Sequence, residues 1–237
     1  MPGQGLSDSH SDERRQGKVR TEEQMRGEKT SASRETWKQV PRLSAGDVSL
    51  DFVNTIHPND FLLNAADLIR WSQNVGLITE KREQAFLEQI EANPEESNTV
   101  FKQAMVLREA SHRVLLALIQ QIPPASHDVR ILQSTFVEAR IHEHLVPIEH
   151  HLVWQGEPME SELAQLHWLL SRSLERVLTS PPTMERVKEC PPSLGGCGWL
   201  FIDKSKNSSR QWCSDQACGS LIRMRRLYAR KRADKEK

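Results

Sequence analysis

Four cysteines constrain this 237-residue chain more than any other feature of it. They stand at Cys190, Cys197, Cys213 and Cys218, in the spacing Cys-x6-Cys-x15-Cys-x4-Cys. A segment this short cannot bury enough apolar surface to fold alone, whereas a metal held by its side chains supplies folding energy directly. Zinc takes four soft ligands at tetrahedral corners about 2.3 Å away, and two cysteine pairs on tight turns deliver that geometry. Gly195, Gly196 and Gly198 surround the first pair, and Gly219 follows the last cysteine. Trp199, Phe201 and Trp212 offer apolar cover. The competing readings are scattered free thiols or two disulfides. With no basic, apolar and small-residue leader at the N-terminus, the expected compartment is the reducing cytoplasm, where metal is favoured over disulfides. Four cysteines close the metal's shell, so the expected role is structural rather than catalytic.

Charge is divided along the chain. The formal net charge is zero, yet residues 186–237 carry 13 Lys and Arg against 5 acids, a surplus of eight that the rest of the chain must offset. Four thiolates around one Zn2+ would lower the segment to about +6. A basic end on an acidic body suits a polyanion partner. The final stretch, Ser220 to Arg232, predicts a helix with Leu221, Met224, Leu227 and Tyr228 as an apolar stripe lying on the finger. Arg223, Arg226 and Arg230 would point outward, with Arg225, Lys231 and Arg232 beside them. Arg210, in the loop before the third cysteine, is expected to join that surface. The candidate nucleic-acid set is therefore Arg210, Arg223, Arg225, Arg226, Arg230, Lys231 and Arg232. The alternative is a solvated helix that keeps the chain soluble.

The remainder reads as mostly helical. Residues 1–38 have almost no apolar content and are expected to be a disordered arm. Residues 39–181 are expected to form a helical domain, with 186–232 as the finger. Gly46 to Thr55 alternates like a short strand or extended segment. Asn64 is placed to cap a helix through Leu68, Trp71 and Val75 that Gly76 ends. A second helix runs through Ala85, Leu87 and Ile90. Asn93-Pro94 opens a third, whose face is Val100, Ala104, Leu107, Val114 and Leu118, and which Pro123-Pro124 stops. Ser126 and Asp128 begin another, carrying Val129, Leu132 and Phe136. Leu145-Val146 and Leu152 to Trp154 fit two short strands, and a last helix uses Leu163, Leu166, Leu170, Leu174 and Val177. In the finger, Trp199 to Asp203 would be the first strand of a hairpin, with Ser208 to Trp212 returning. The fold class is mainly α with a small β element, and the two domains are expected to unfold separately.

Other candidates are weaker. His142, His144, His150 and His151 raise a second metal site, against a solvent-facing strand. Asp51 and Asn54 could line a ligand pocket, against capping and turn roles. Trp71, Trp154 and Trp168 are most simply core. No phosphate-cradling glycine loop, His-Glu-x-x-His or nucleophile elbow occurs, so no enzyme is expected.

Cys197-Gly-Trp-Leu-Phe-Ile-Asp203, Ser205 to Cys213, Cys218-Gly219 and the basic stretch together resemble the CGNR-type zinc finger. Leu50-Asp-Phe-Val-Asn-Thr55, Ala66 to Trp71 and Gly76-Leu77 resemble the start of the ABATE-type domain that precedes that finger in bacterial proteins. The resemblance spans about residues 40–232. It implies a stress-related transcription regulator whose finger binds DNA. The sequence departs from the name-giving motif at Ser220-Leu221, where asparagine and arginine would follow Cys-Gly. The expectation is a DNA-binding regulator with no membrane segment, leaving open a small-molecule ligand of the helical domain and a homodimer. Its rivals are a protein-interaction adaptor and an RNA-binding protein.

Overall fold

A buried helix of seven residues organises the body. In the computed structural model, which describes residues 44–56, 60–156 and 163–235, α1 spans Val48–Asn54. Asp47 caps it by accepting from the Ser49 amide at 2.9 Å, and every residue after Val48 is buried. This corrects the strand expected over 46–55. Ser49, Asp51 and Asn54 are buried with partners inside the fold, so the alternation of polar and apolar residues does not mark a solvent face as it would in a half-buried strand. The expected arm at 1–38 lies outside the described residues.

Around α1 pack α2 (Ala65–Asn74), α3 (Glu80–Ala92), α4 (Pro94–Ile119), α5 (Ser126–Ile141), the antiparallel ribbon β1 (Glu143–Ile148) and β2 (His151–Gly156), and α6 (Ala164–Leu178). Their punctuation follows the sequence. Asn64 accepts from the Asp67 amide, Pro94 opens α4 behind Asn93, and Gly76 takes a φ of +75° after α2. The α6 face falls as expected, with Leu163, Leu166, Leu170, Leu174 and Val177 all buried. On α4 the buried line turns to Leu115 and Ala117, leaving Leu118 exposed. Trp71 and Trp168 are core, but Trp154 is exposed on the ribbon beneath the Arg140 guanidinium. No helix among the described residues is long and apolar enough to cross a membrane.

After the short α7 (Pro181–Met184), β3 (Val187–Glu189) pairs antiparallel with β4 (Leu200–Ile202). This corrects the expected hairpin: the partner of β4 lies upstream of it, and Ser208 to Trp212 returns without a strand. The ribbon is embedded in the body. Val187, Leu200 and Ile202 share one core with Leu50, Val53, Leu107 and Val114. Asn54 of α1 grips Leu200 at both backbone groups, donating to its carbonyl at 2.9 Å and accepting its amide at 2.8 Å. The Ile202 amide donates to the Ala45 carbonyl at 2.7 Å. The finger's ribbon and the body therefore share one packed core.

Candidate metal centre and basic helix

The β3–β4 connection carries the first cysteine pair. Cys190 follows β3 and Cys197 precedes β4, and the two are drawn together because the Cys190 amide donates to Trp199 and the Gly198 amide donates back to Cys190. Between them lies a tight 3-10 turn, Pro192–Leu194. Gly195 and Gly198 sit at φ +88° and +82°, where side chains are disfavoured. Gly196 is required for a different reason: a Cβ there would lie 2.8 Å from the Cys190 sulfur. The second pair stands on either side of Ser214, which accepts from the Ala217 amide and starts a π-helical turn, Asp215–Gly219. Cys218 lies in that turn, and α8 (Ser220–Lys235) continues it without a break.

All four sulfurs fall within 4.8 Å of one another. Cys197 and Cys213 sulfurs are 3.4 Å apart, and Cys213 and Cys218 sulfurs 3.7 Å. Those separations are far too long for a disulfide at about 2.05 Å. They match the edge, roughly 3.8 Å, of a tetrahedron with metal–sulfur bonds of about 2.3 Å. Cys190, Cys197 and Cys213, packed so closely, share protons unevenly. Hydrogen bonds from Cys197 and then Cys213 hold Cys190 far below the usual thiol range, and the same contacts push those two upward. The amides of Cys213 and Cys197 also donate to the Cys190 sulfur, and that of Trp199 to Cys197. Amide donors aimed at sulfur stabilise thiolate, the form a metal needs. Trp199, Phe201, Trp212 and Ile222 enclose the centre. The donor set, spacing and cover fit Zn2+ in a closed structural site.

An acid that sequence inspection passed over braces the return loop. Asp203 is fully buried and accepts from Lys188 Nζ at 2.7 Å, the Ser205 amide at 2.9 Å and the Arg210 amide at 2.9 Å. Burial raises its pKa, but these donors outweigh burial and keep it below the carboxylate range. Asp203-x-Ser205 has the spacing of an Asx turn, which is the signal that could have revealed it. Arg210 does not join an outer surface. Its guanidinium donates to the carbonyls of Trp212 and Cys213 and lies 4.6 Å over the Phe201 ring. The loop that carries it turns back under the finger, and its charge is spent there.

Of the residues of α8 whose side chains are described, Ile222 alone is buried. It rests on the first knuckle together with Arg225, whose Nη1 would come within 3.5 Å of a Cβ at Gly195. The apolar stripe expected against the finger faces solvent instead: Leu221, Met224, Leu227 and Tyr228 are exposed. α8 turns Ile222 rather than Leu221 onto the finger, so the stripe that begins at Leu221 lies on a different face. Arg223 is exposed but paired with Asp215 at 2.8 Å. Arg226, Arg230, Lys231 and Arg232 are exposed with no ion pair among the described residues.

The sequence matches the CGNR zinc finger over residues 186–231 and, over residues 46–181, the family described as "Putative stress-induced transcription regulator", ABATE. The chain belongs to the ABATE family. No curated protein matches it. The ABATE domain ends five residues before the finger begins, yet the finger's ribbon shares the ABATE core. In the motif that names the finger, Ser220 here donates to the Asp215 carbonyl and Leu221 is exposed.

The other candidates resolve within the ABATE domain. Asn54 serves the weld to β4, and Asp51 accepts from the amides of Ser44 and Ala45, the turn and capping roles weighed against a ligand site. His142 and His144 are not on one strand face. His142 ends α5 and stacks on Trp168 at 3.6 Å, while His144 lies in β1 opposite Gln155. Among the described residues, the four cysteines are the one cluster with metal-ligand geometry. Arg108, buried in mid-helix and bidentate to Asp60 at 2.9 Å, went unnoticed because a charge in an otherwise regular stripe reads as solvated.

Proposed function

We propose that this ABATE protein is a DNA-binding transcription regulator in which Cys190, Cys197, Cys213 and Cys218 hold a structural Zn2+ and α8 meets the duplex. It acts as a cytoplasmic binding protein rather than an enzyme. The observation that carries this reading is the placement of the basic helix. α8 starts two residues after the last metal ligand, is seated by Ile222, and holds Arg226, Arg230, Lys231 and Arg232 in solvent with no ion pair among the described residues. Arg223 and Arg226, and Arg226 and Arg230, are three and four residues apart, so they share a line that can follow a phosphate backbone. Arg225 adds charge beside the knuckle. Arg223 joins the contact by exchanging Asp215 for phosphate, and Arg210 takes no part.

A second reading rests on the uncovered stripe Leu221, Met224, Leu227 and Tyr228, which is more apolar than phosphate contacts need. In it, α8 docks on an acidic, partly apolar protein face. Selection of bound duplexes from a random pool, with single-stranded and double-stranded RNA as competitors, separates the possibilities. Enrichment of a duplex motif that RNA does not displace supports the regulator. Displacement by RNA at equal concentration favours an RNA-binding protein, and no retention of either nucleic acid favours the adaptor.

A further inference from the structure

The β1–β2 ribbon is a projecting arm with one bare apolar face. Its register sets Leu145 opposite Trp154 and Pro147 opposite Leu152, so these four side chains share a face, and all are exposed. The other face is half-buried at Val146 and Val153. The root is clamped to α6: His142 stacks on Trp168, and Glu143 is held between Arg140 and Arg172. A two-stranded ribbon is marginal in water, and a bare apolar face on it needs cover.

The same chain presents a matching receptor elsewhere. Between α4, α5 and the end of α6 runs an open groove of about 370 Å3, lined by Leu118, Val129, Leu132, Phe136, Val137 and Leu178. Val129, Val137 and Ile141 recur at multiples of four along α5 and are all exposed. That line spans about 18 Å at 1.5 Å per residue, and a six-residue strand spans about 20 Å. The chain's own ribbon, clamped at α6, does not fill the groove.

We infer that two copies of this chain form a reciprocal dimer in which the ribbon of each lies in the α4–α5 groove of the other. Each copy then covers the four arm side chains together with Leu118, Val129 and Val137 of the groove and Ile141 at its end. At roughly 100 Å2 for each such half-exposed apolar residue, complete covering gives at most about 800 Å2 per copy. That upper bound reaches the share of one partner in a standard interface, about 800 Å2. The groove lining carries no charged side chain, and on the arm face the one charge against it is the Arg140 guanidinium over Trp154, itself paired with Glu143 and Glu175. The exchange is isologous, so it closes at two copies. It is independent of whether α8 binds nucleic acid.

Light scattering of the full-length zinc-loaded protein after size exclusion tests this. The parent should elute at twice its 27.2 kDa chain mass. Leu152→Glu on the arm and Val137→Glu in the groove should each give the monomer mass, with zinc content and helicity unchanged because both sites are exposed. Leu152→Ser is the gentler arm variant should the charge disturb folding. Mixing the two charged variants should restore a weaker dimer, since one good arm and one good groove remain. A parent that is monomeric at every concentration overturns the proposal. So does a dimer that survives Val137→Glu, or one that dissociates on Leu227→Glu in α8 but not on the arm variants.

Discussion

Asn54→Leu is the sharpest perturbation of the joint between the ABATE domain and the finger. Leucine nearly matches the shape of asparagine but can neither accept the Leu200 amide nor donate to its carbonyl. Both groups are buried, since Asn54 is 2% exposed and Leu200 fully enclosed. A buried backbone group left unpaired costs about 1–3 kcal/mol, so the pair should cost roughly 3 to 4 kcal/mol. In a chain of this size each kcal/mol moves the melting midpoint by about 2–4 °C, and a fall of roughly 10 °C is expected. Leu200 lies three residues beyond Cys197, in a strand sharing the core with Leu50 and Val53, so the loss should reach the metal as well. Thermal melts followed by helical circular dichroism, in parallel with zinc release to a colorimetric chelator, read both ends of the joint. The two signals should shift together in the variant, and stripping zinc from the parent should lower its helical midpoint. If Asn54→Leu leaves that midpoint in place, or if metal removal spares it, the shared core does not couple the two parts.

Three further outcomes follow from the same geometry. Cys213→Ser should abolish stoichiometric zinc binding, and X-ray absorption of the parent should show one Zn2+ with sulfur ligands only; nitrogen or oxygen in the shell would contradict the site. Gly196→Ala should lose zinc almost as completely, because its Cβ would stand 2.8 Å from the Cys190 sulfur, whereas Gly76→Ala, with no atom within 4 Å, should leave metal content unchanged. Burial, opposed by the amides of Ala45 and Ser44 and reinforced by Asp47, pushes the Asp51 carboxyl from 3.8 up to about 7. A raised folded-state pKa means that stability held at low pH is lost as pH rises through 7, by roughly 4 kcal/mol in all. Asp51→Asn should flatten that decline between pH 4 and 8 in urea titrations, and an unchanged slope would clear Asp51.

Much of this was legible in the sequence, for identifiable reasons. The cysteines and their glycines encode turn geometry locally, and the α2 and α4 termini are written in Asn64, Gly76 and Asn93-Pro94. What escaped depends on contacts distant in sequence. Alternation in Val48 to Phe52 looked like a strand because Ser49 and Asp51, which read as solvent-facing, are buried with partners inside the fold. The β4 strand found its partner in Val187 to Glu189, upstream of the first cysteine, and no local signal distinguishes that from a downstream return. Arg210 and the α8 stripe were misplaced together. Helical spacing shows that Leu221, Met224 and Tyr228 share a line, but only which face of α8 meets the finger decides whether that line is covered.

The central claim is that a zinc-anchored α8 grips a phosphate backbone. It is tested most directly by the affinity for a fluorescent duplex across a salt series, comparing the parent with the Arg226→Ala, Arg230→Ala and Arg232→Ala triple variant. Each phosphate contact contributes about 0.9 to the slope of log affinity against log salt. Alanine favours helix, so zinc content and helicity should hold. The account predicts a slope shallower by nearly three units with the metal still bound. Equal slopes and equal affinities for the two proteins would contradict it.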